Sequence, residues 1–287
     1  VTGLKKNGLK KPITTCASPS LLRVTDYELR DIMKLRFLII TLLIALLPVQ
    51  CTGTPKGSYT WNRLADGIDY ATYSFSISEK ERATIYAFRI DPKRYRLRVA
   101  QAADEVQGTS ARAMAKREKA LLAINGGFFT PEHTSIGLIV NDGKVKNALH
   151  KTSWWSVFQI KGGVPSIVTP SDFVLAPDVE MAIQCGPRLT IDGAIPKLKE
   201  SVSKRSAIGI TRDGKVLIVI SEGYGLSMNE LAKRMRASRW EGGLECPNSM
   251  ALDGGSSSQL YAHVGEFELS LDGLARVTNG VIVLPRK

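Results

Sequence analysis

Two segments of this chain end in the same way. Leu122-Ala123-Ile124-Asn125-Gly126-Gly127 and Met250-Ala251-Leu252-Asp253-Gly254-Gly255 each run through apolar residues to an Asn or Asp and then to two glycines. The apolar runs read as buried strands, and the glycine pairs as sharp turns where backbone approaches a neighbour or a ligand closely. Each copy needs a sheet around it, and each presents a side-chain carbonyl or carboxylate at a strand end beside backbone amides. The first copy continues Phe128-Phe129 and the second Ser256-Ser257-Ser258, an aromatic wall and a hydroxyl-rich floor. Two plain strand-ending turns are the competing reading; the repetition of the pattern favours a site.

Around these segments the chain alternates strand and turn signals. Ala83 to Ile90 and Tyr95 to Gln101 read as a strand pair around Asp91-Pro92. Hairpins are expected where Asn141-Asp142-Gly143, Lys161-Gly162-Gly163 and Arg212-Asp213-Gly214 separate β-rich runs. Ser110 to Lys119 suits a short helix. Ser227-Met228-Asn229-Glu230 has capping-box spacing and opens a second helix, with Met228, Leu231 and Met235 on one face as core residues. Val277 to Leu284 reads as a closing strand. The pattern predicts an α+β fold: a mixed, largely antiparallel sheet with two or three packed helices in a single domain.

The first fifty residues read as something other than this domain. Met33-Lys34-Leu35-Arg36 precedes Phe37 to Leu47, an eleven-residue run that is apolar except for Thr41. A basic start followed by an apolar stretch too short to span a bilayer is a secretory signal pattern. The organisation expected is an upstream extension over 1–32, a signal peptide over 33–51, a lead-in over 52–82 and the main domain over 83–287. The destination is secretion or the periplasm. Cys51 raises a lipid anchor as the one membrane attachment, although Pro48-Val49-Gln50 is a poor approach to a lipidated cysteine. Without residues 1–51, the remaining 236 residues carry 31 basic and 24 acidic groups, a net charge of +7. That balance suits either an anionic, phosphate-bearing ligand or ordinary solubility. The basic residues are scattered and no nucleic-acid fingerprint is present, which argues against nucleic acid as partner. Cys185 and Cys246 either bridge in an oxidising compartment, the slightly favoured reading, or stay as buried thiols.

Four blocks, in order, carry a resemblance. Ala123-Ile124-Asn125-Gly126-Gly127-Phe128-Phe129, Gln184-Cys185-Gly186-Pro187-Arg188-Leu189, Arg205-Ser206-Ala207-Ile208-Gly209 and Ala251-Leu252-Asp253-Gly254-Gly255-Ser256-Ser257 resemble the phosphodiester glycosidase domain family and its secreted bacterial relatives. The resemblance covers roughly Ala83 to Leu284. The chain departs from the pattern at Ser256, where many relatives have a third glycine, and at Ile220-Ser221-Glu222-Gly223, where many have an Asp-Gly-Arg-like segment.

The resemblance implies hydrolysis of a sugar-1-phosphodiester on an extracellular or cell-envelope glycan such as an exopolysaccharide, giving free sugar and a phosphomonoester. The leaving phosphate is already a stable anion, so the site must supply a cation for it and a carboxylate near the developing oxocarbenium ion. Asp253 is the first carboxylate candidate and Glu222 the second. Arg205 would grip phosphate oxygens, and Arg188 is a second contact. Gly254 and Gly255 amides with Ser256 and Ser257 hydroxyls would form an anion-binding nest. Asn125, Gly126, Gly127 and Phe128 would line the sugar. Each has a plainer role open to it: an ion pair for Arg205, a turn cap for Asp253 or Asn125, a solvated side chain for Arg188. His133, His150 and His263 match no metal triad, and no cofactor is implied; calcium or magnesium at Asp253 stays compatible, because oxygen ligands leave little sequence signature. The alternative function is a non-catalytic exopolysaccharide or cell-wall glycan-binding protein with Trp154, Trp155 and Phe128 as stacking surfaces. A serine hydrolase built on Ser256 to Ser258 lacks the Gly-x-Ser-x-Gly elbow.

Overall fold

The computed structural model describes residues 59–104 and 107–286; the expected extension, signal peptide and Cys51 lie outside the described residues. Strands are numbered in chain order. A seven-stranded sheet carries, in spatial order, Asn62–Ala65 (β1), Ile68–Ser76 (β2), Arg82–Ile90 (β3), Val216–Gly223 (β13), Ser206–Ile210 (β12), Asn248–Ala251 (β14) and Arg188–Thr190 (β11). A second sheet has Lys144–Asn147 (β7), Ile139–Asn141 (β6), Val179–Cys185 (β10), Ser156–Lys161 (β8) and Val164–Val168 (β9). The third has Phe267–Leu271 (β16), Leu260–Val264 (β15), Leu122–Asn125 (β5), Asn279–Pro285 (β17) and Tyr95–Gln101 (β4).

The three sheets share one apolar core. Phe88 and Ile218 enter it from the first sheet, Phe158 and Met181 from the second, Ile124 and Val281 from the third. Successive side chains of a strand face opposite ways, so Ile218 and Ile220 point into that core while Leu217 and Val219 point outward. The outward residues are buried too, because helix α2 (Met228–Arg236) lays Leu231 and Met235 over them. Helix α1 (Ala111–Glu118) does the same for Ala123 and Ile282 of the third sheet with Met114 and Ala115. Burial on both faces explains the near-continuous apolar runs of β5 and β13. Each fully buried Leu, Ile or Phe contributes about 1.5–3 kcal/mol.

Both helices start where their capping residues stand. Ser110 Oγ accepts from Ala113 N at 3.2 Å, and Ser227 Oγ from Glu230 N at 3.1 Å. Lys119, at φ 55°, ends α1 after Lys116 and Arg117, whose charges complement the helix C-terminus. A side chain also links two sheets: Asn141, at the end of β6, donates from Nδ2 to Val99 O at 2.8 Å and accepts from Val99 N at 3.0 Å on β4. Among the described residues no helix is long and apolar enough to cross a membrane.

The three expected hairpins form, as β6–β7, β8–β9 and β12–β13. Other expectations need correction. The largely antiparallel α+β expectation is compatible with the fold but understates its sheet: the strand pairing is antiparallel throughout three sheets, and two α-helices occur among the described residues. β3 and β4 do not pair with each other. After the Asp91–Tyr95 turn the chain passes to another sheet, where β4 pairs with β17, while β3 lies between β2 and β13. Residues 62–65 and 68–76, read as lead-in, are strands of the seven-stranded sheet.

Cys185 and Cys246 are both free and buried. They belong to opposite faces: Cys185 packs in the common core and Cys246 under α2, where its Sγ meets Ile210 O and Asn248 O at 3.3 Å. The expected bridge therefore does not form. Peptide mapping of the non-reduced protein should find no linked Cys185–Cys246 peptide; recovery of one would overturn this placement.

Candidate functional site

The two strand-Gly-Gly segments lie in different sheets, yet their ends meet. Asn125 Nδ2 donates to Asp253 O at 2.7 Å, and Asp253 N donates to Gly126 O at 3.0 Å. The Asn125 carbonyl is occupied as well: Oδ1 accepts from Ser206 Oγ at 2.7 Å and from Gln259 N at 3.2 Å. Asn125 is fully buried. Its amide thus ties β5, β12, the Asp253 turn and the start of β15 into one node. A low-dielectric setting strengthens such bonds and makes each unpaired partner costly.

Glycine is needed here for approach. A Cβ on Gly127 would stand 2.7 Å from Gln184 O, and the Gly127 amide donates to Asn279 Oδ1 at 2.7 Å. On the far side, Gly254 lies against Arg205, whose Nη1 is 3.6 Å from where a Gly254 Cβ would stand.

Arg205 is 7% exposed. Its Nε donates to Leu226 O at 3.0 Å, and Nη2 donates to the Ser201 carbonyl and to Ser201 Oγ. All these acceptors are neutral, and no carboxylate pairs with this guanidinium among the described residues. Burial lowers its pKa from the ordinary value, but an arginine remains charged. The structural-acid reading of Arg205 therefore finds no acid. Asp253 likewise has no ion pair among the described residues. Burial raises its carboxyl above the usual range, opposed by hydrogen bonds from the Ser257 side chain and the Gly254 backbone.

Glu222 reaches the same region through Lys204. Lys204 Nζ lies 2.6 Å from Glu222 Oε2, and Lys204 O accepts from Gly255 N at 2.8 Å. Glu222 Oε1 is buried with no hydrogen-bond partner among the described residues. Lys204 was not foreseen; its position directly before the Arg205-Ser206 block was the available signal.

On the other flank Phe128 follows the Gly126-Gly127 turn. Its ring centroid is 4.9 Å from Trp155 and 6.2 Å from Trp154, which is 56% exposed. Phe129 turns away to stack on His133. Cys185 joins this wall to the Asp253 turn: burial first, and then the charge of Asp253, push its thiol pKa up. A thiol held protonated in this way is no nucleophile.

Two groups of the expected site are engaged elsewhere in the protein. The glycine nest is not free, since the Gly254 amide serves the Asp253 carboxylate and the Gly255 amide serves Lys204 O. Ser256 is exposed and Ser257 is buried against Asp253. Arg188 points elsewhere, donating from Nη2 to Asn248 Oδ1 at 2.8 Å, with Asp192 acting on its charge. No group of three or more His, Cys, Asp or Glu side chains able to hold a metal comes together among the described residues.

The chain belongs to the phosphodiester glycosidase family, which it matches over residues 118–284. YigE of Escherichia coli K12, an uncharacterised protein, is 26% identical over 156 residues, 48% of this chain and 61% of YigE. The match to YigE thus spans less than two thirds of that relative. The catalytic domain of zebrafish N-acetylglucosamine-1-phosphodiester α-N-acetylglucosaminidase, auto-inhibited by its pro-peptide, superposes with TM-score 0.62 at 15% identity, covering 80% of this chain and 89% of that one. A hypothetical protein from Synechocystis gives 0.55 at 17% identity, over 79% and 64% of the two chains. At these identities the structural likeness is one of fold.

Asn125→Ala should cost roughly 2–3 kcal/mol in urea unfolding, because it leaves buried partners unpaired. A loss under about 0.5 kcal/mol would contradict the role of Asn125 as a node. Asp253 carries the opposite sign. Its pKa is raised on folding, so the folded state holds this proton more tightly than the unfolded chain. Stability is then lost as pH rises from the unfolded pKa through the folded one. Asp253→Asn should therefore raise the melting temperature at about pH 7, with the gain shrinking near about pH 4. A gain that is absent at neutral pH, or that grows in acid, would contradict the burial of an ionised Asp253.

Proposed function

We propose that this protein is an exported hydrolase that cleaves a sugar-1-phosphodiester to free sugar and phosphomonoester. The observation that carries the reading is the pairing of two uncompensated charges across the Gly-Gly turn: a buried Arg205 without a carboxylate partner and, one residue from Gly254, an Asp253 carboxyl raised by burial. Unpaired buried charges are costly and persist where they meet a charge that develops during reaction.

The chemistry assigns a role to each group. The bond that breaks joins the anomeric carbon to a phosphate oxygen, and the electron pair leaves with the phosphate. Arg205, with Nη1 facing Gly254 and no acceptor for it among the described residues, neutralises that departing charge. Lys204, held by Glu222, adds a second positive charge beside it. Asp253 accepts the proton of the attacking water and faces the positive sugar carbon; its raised pKa brings its basicity nearer neutrality, which favours proton transfer there. Phe128 and the exposed Trp154 offer an aromatic face on which a sugar ring can lie. Asn125, committed to protein partners on both its amide atoms, holds Asp253 in place rather than binding sugar.

The test is turnover of a panel of sugar-1-phosphodiesters, read as released sugar and phosphomonoester. Asp253→Asn and Arg205→Lys should each lower kcat by about a hundredfold or more, whereas Trp154→Ala should raise KM a few-fold with kcat nearly kept. The acid limb of the pH profile should lie above the ordinary Asp range of about 4. Undiminished turnover in Asp253→Asn would remove that residue from the mechanism and leave Glu222 as the carboxylate. A wild-type protein that binds these glycans and turns none over would instead be a glycan-binding protein.

A further inference from the structure

Away from the Asp253 turn, two clefts meet at the C-terminal end of α1 and share Glu118 in their walls. One, of about 320 Å³, lies over the outer face of β4 and β17 and is lined by Arg98, Arg117 and Lys146; the other, of about 640 Å³, continues past Arg96, Lys119 and Arg286. Six cations therefore stand along one concave path.

The acids nearby are already engaged. Glu118 pairs with Arg117 at 3.0 Å, Asp142 with Arg96, and Glu180 with Arg286 at 3.0 Å. Those pairs leave Arg98, Lys119 and Lys146 with no carboxylate among the described residues. Arg98 is the strongest indication of a missing ligand. Among the described residues its guanidinium meets no hydrogen-bond acceptor, and its Nε is shut away from solvent. A buried donor without an acceptor is costly, and a cleft walled by protein focuses the field of its cations. An oxyanion inside the cleft answers both conditions.

The shape and lining narrow the ligand. The two clefts together offer more room than a single phosphate needs, which favours a strand bearing repeated negative charge. No aromatic side chain lines either cleft, so there is no surface on which bases could stack, as single-stranded nucleic acids require. We propose that this path is a secondary binding site for an acidic glycan strand, gripping its anionic groups outside the Asp253 turn. The choice of a glycan rests on the glycosidase reading; the choice of an anion rests on the cleft alone.

The test uses the full chain with fluorescently labelled oligogalacturonate, a carboxylated strand, and polyglycerol phosphate, a phosphorylated one. Binding is followed by anisotropy across a salt series. Wild type and Asp253→Asn should bind at least one probe equally. Arg98→Gln/Lys146→Gln should bind it roughly tenfold more weakly and with a shallower salt dependence, at an unchanged melting temperature. Turnover of a small sugar-1-phosphodiester by that double variant should match wild type. Equal binding by the double variant, no binding of either probe by wild type, or equal binding of neutral maltodextrin would each overturn the proposal. Preferential binding of polyuridylate would overturn the glycan in favour of nucleic acid. If wild type turns nothing over while binding still follows Arg98 and Lys146, the glycosidase reading falls and the anionic site stands.

Discussion

The fold is organised around a hydrogen-bond exchange between two strand ends. Each sheet could bury its apolar face in several ways, since hydrophobic contact has no direction. The bonds Asn125 Nδ2 to Asp253 O and Asp253 N to Gly126 O do have direction. They fix where the third sheet stops against the seven-stranded one, and Ser206 and Gln259 hold the Asn125 carbonyl from behind. The second sheet enters at the same place, because Gly127 fits against Gln184 O only without a side chain. Gln184 itself is spent on the Leu138 and His150 amides and the His150 carbonyl. Three sheets thus converge on one polar knot.

That knot places a charge where the fold would not choose one. Asp253 is held half-buried by its own backbone bonds, while its carboxyl receives hydrogen bonds but no cation. Arg205 sits across Gly254 with three neutral acceptors. A domain optimised for stability alone would pair these two or replace them with apolar groups. Their separation, with glycine between, keeps a gap that a charged ligand can enter. This asymmetry distinguishes the site from the ion pairs on the protein surface, such as Arg94 with Asp66 at 2.6 Å.

Much of the local structure could be read from the chain itself. Hairpin turns at Asn141-Asp142-Gly143 and Arg212-Asp213-Gly214, and the serine caps at 110 and 227, depend on neighbours a few residues away, so sequence order contains the cause. The partners of β3 and β4 do not work that way: a turn at Asp91 suits a hairpin or a crossing equally, and distant strands decide. The same holds for Cys185 and Cys246, whose proximity in motif order says nothing about which side of a sheet each faces. At the site, Asn125, Arg205, Glu222 and Asp253 do come into one neighbourhood. The free-amide nest did not survive, because Lys204 O takes the Gly255 amide, a contact between residues about fifty apart. Arg188 looked equivalent to Arg205 in the sequence; one strand's direction sends it to Asn248 instead.

Asn141 has a consequence beyond joining two sheets. β4 is the last strand of its sheet, and the unpaired groups of such an edge are a template on which a strand from another molecule can grow. The Asn141 side chain presents a donor and an acceptor to the two groups of Val99, as an added strand would. It acts as a one-residue counterfeit of the next strand, and sheet growth from one copy of the protein to another is closed at the centre of that edge.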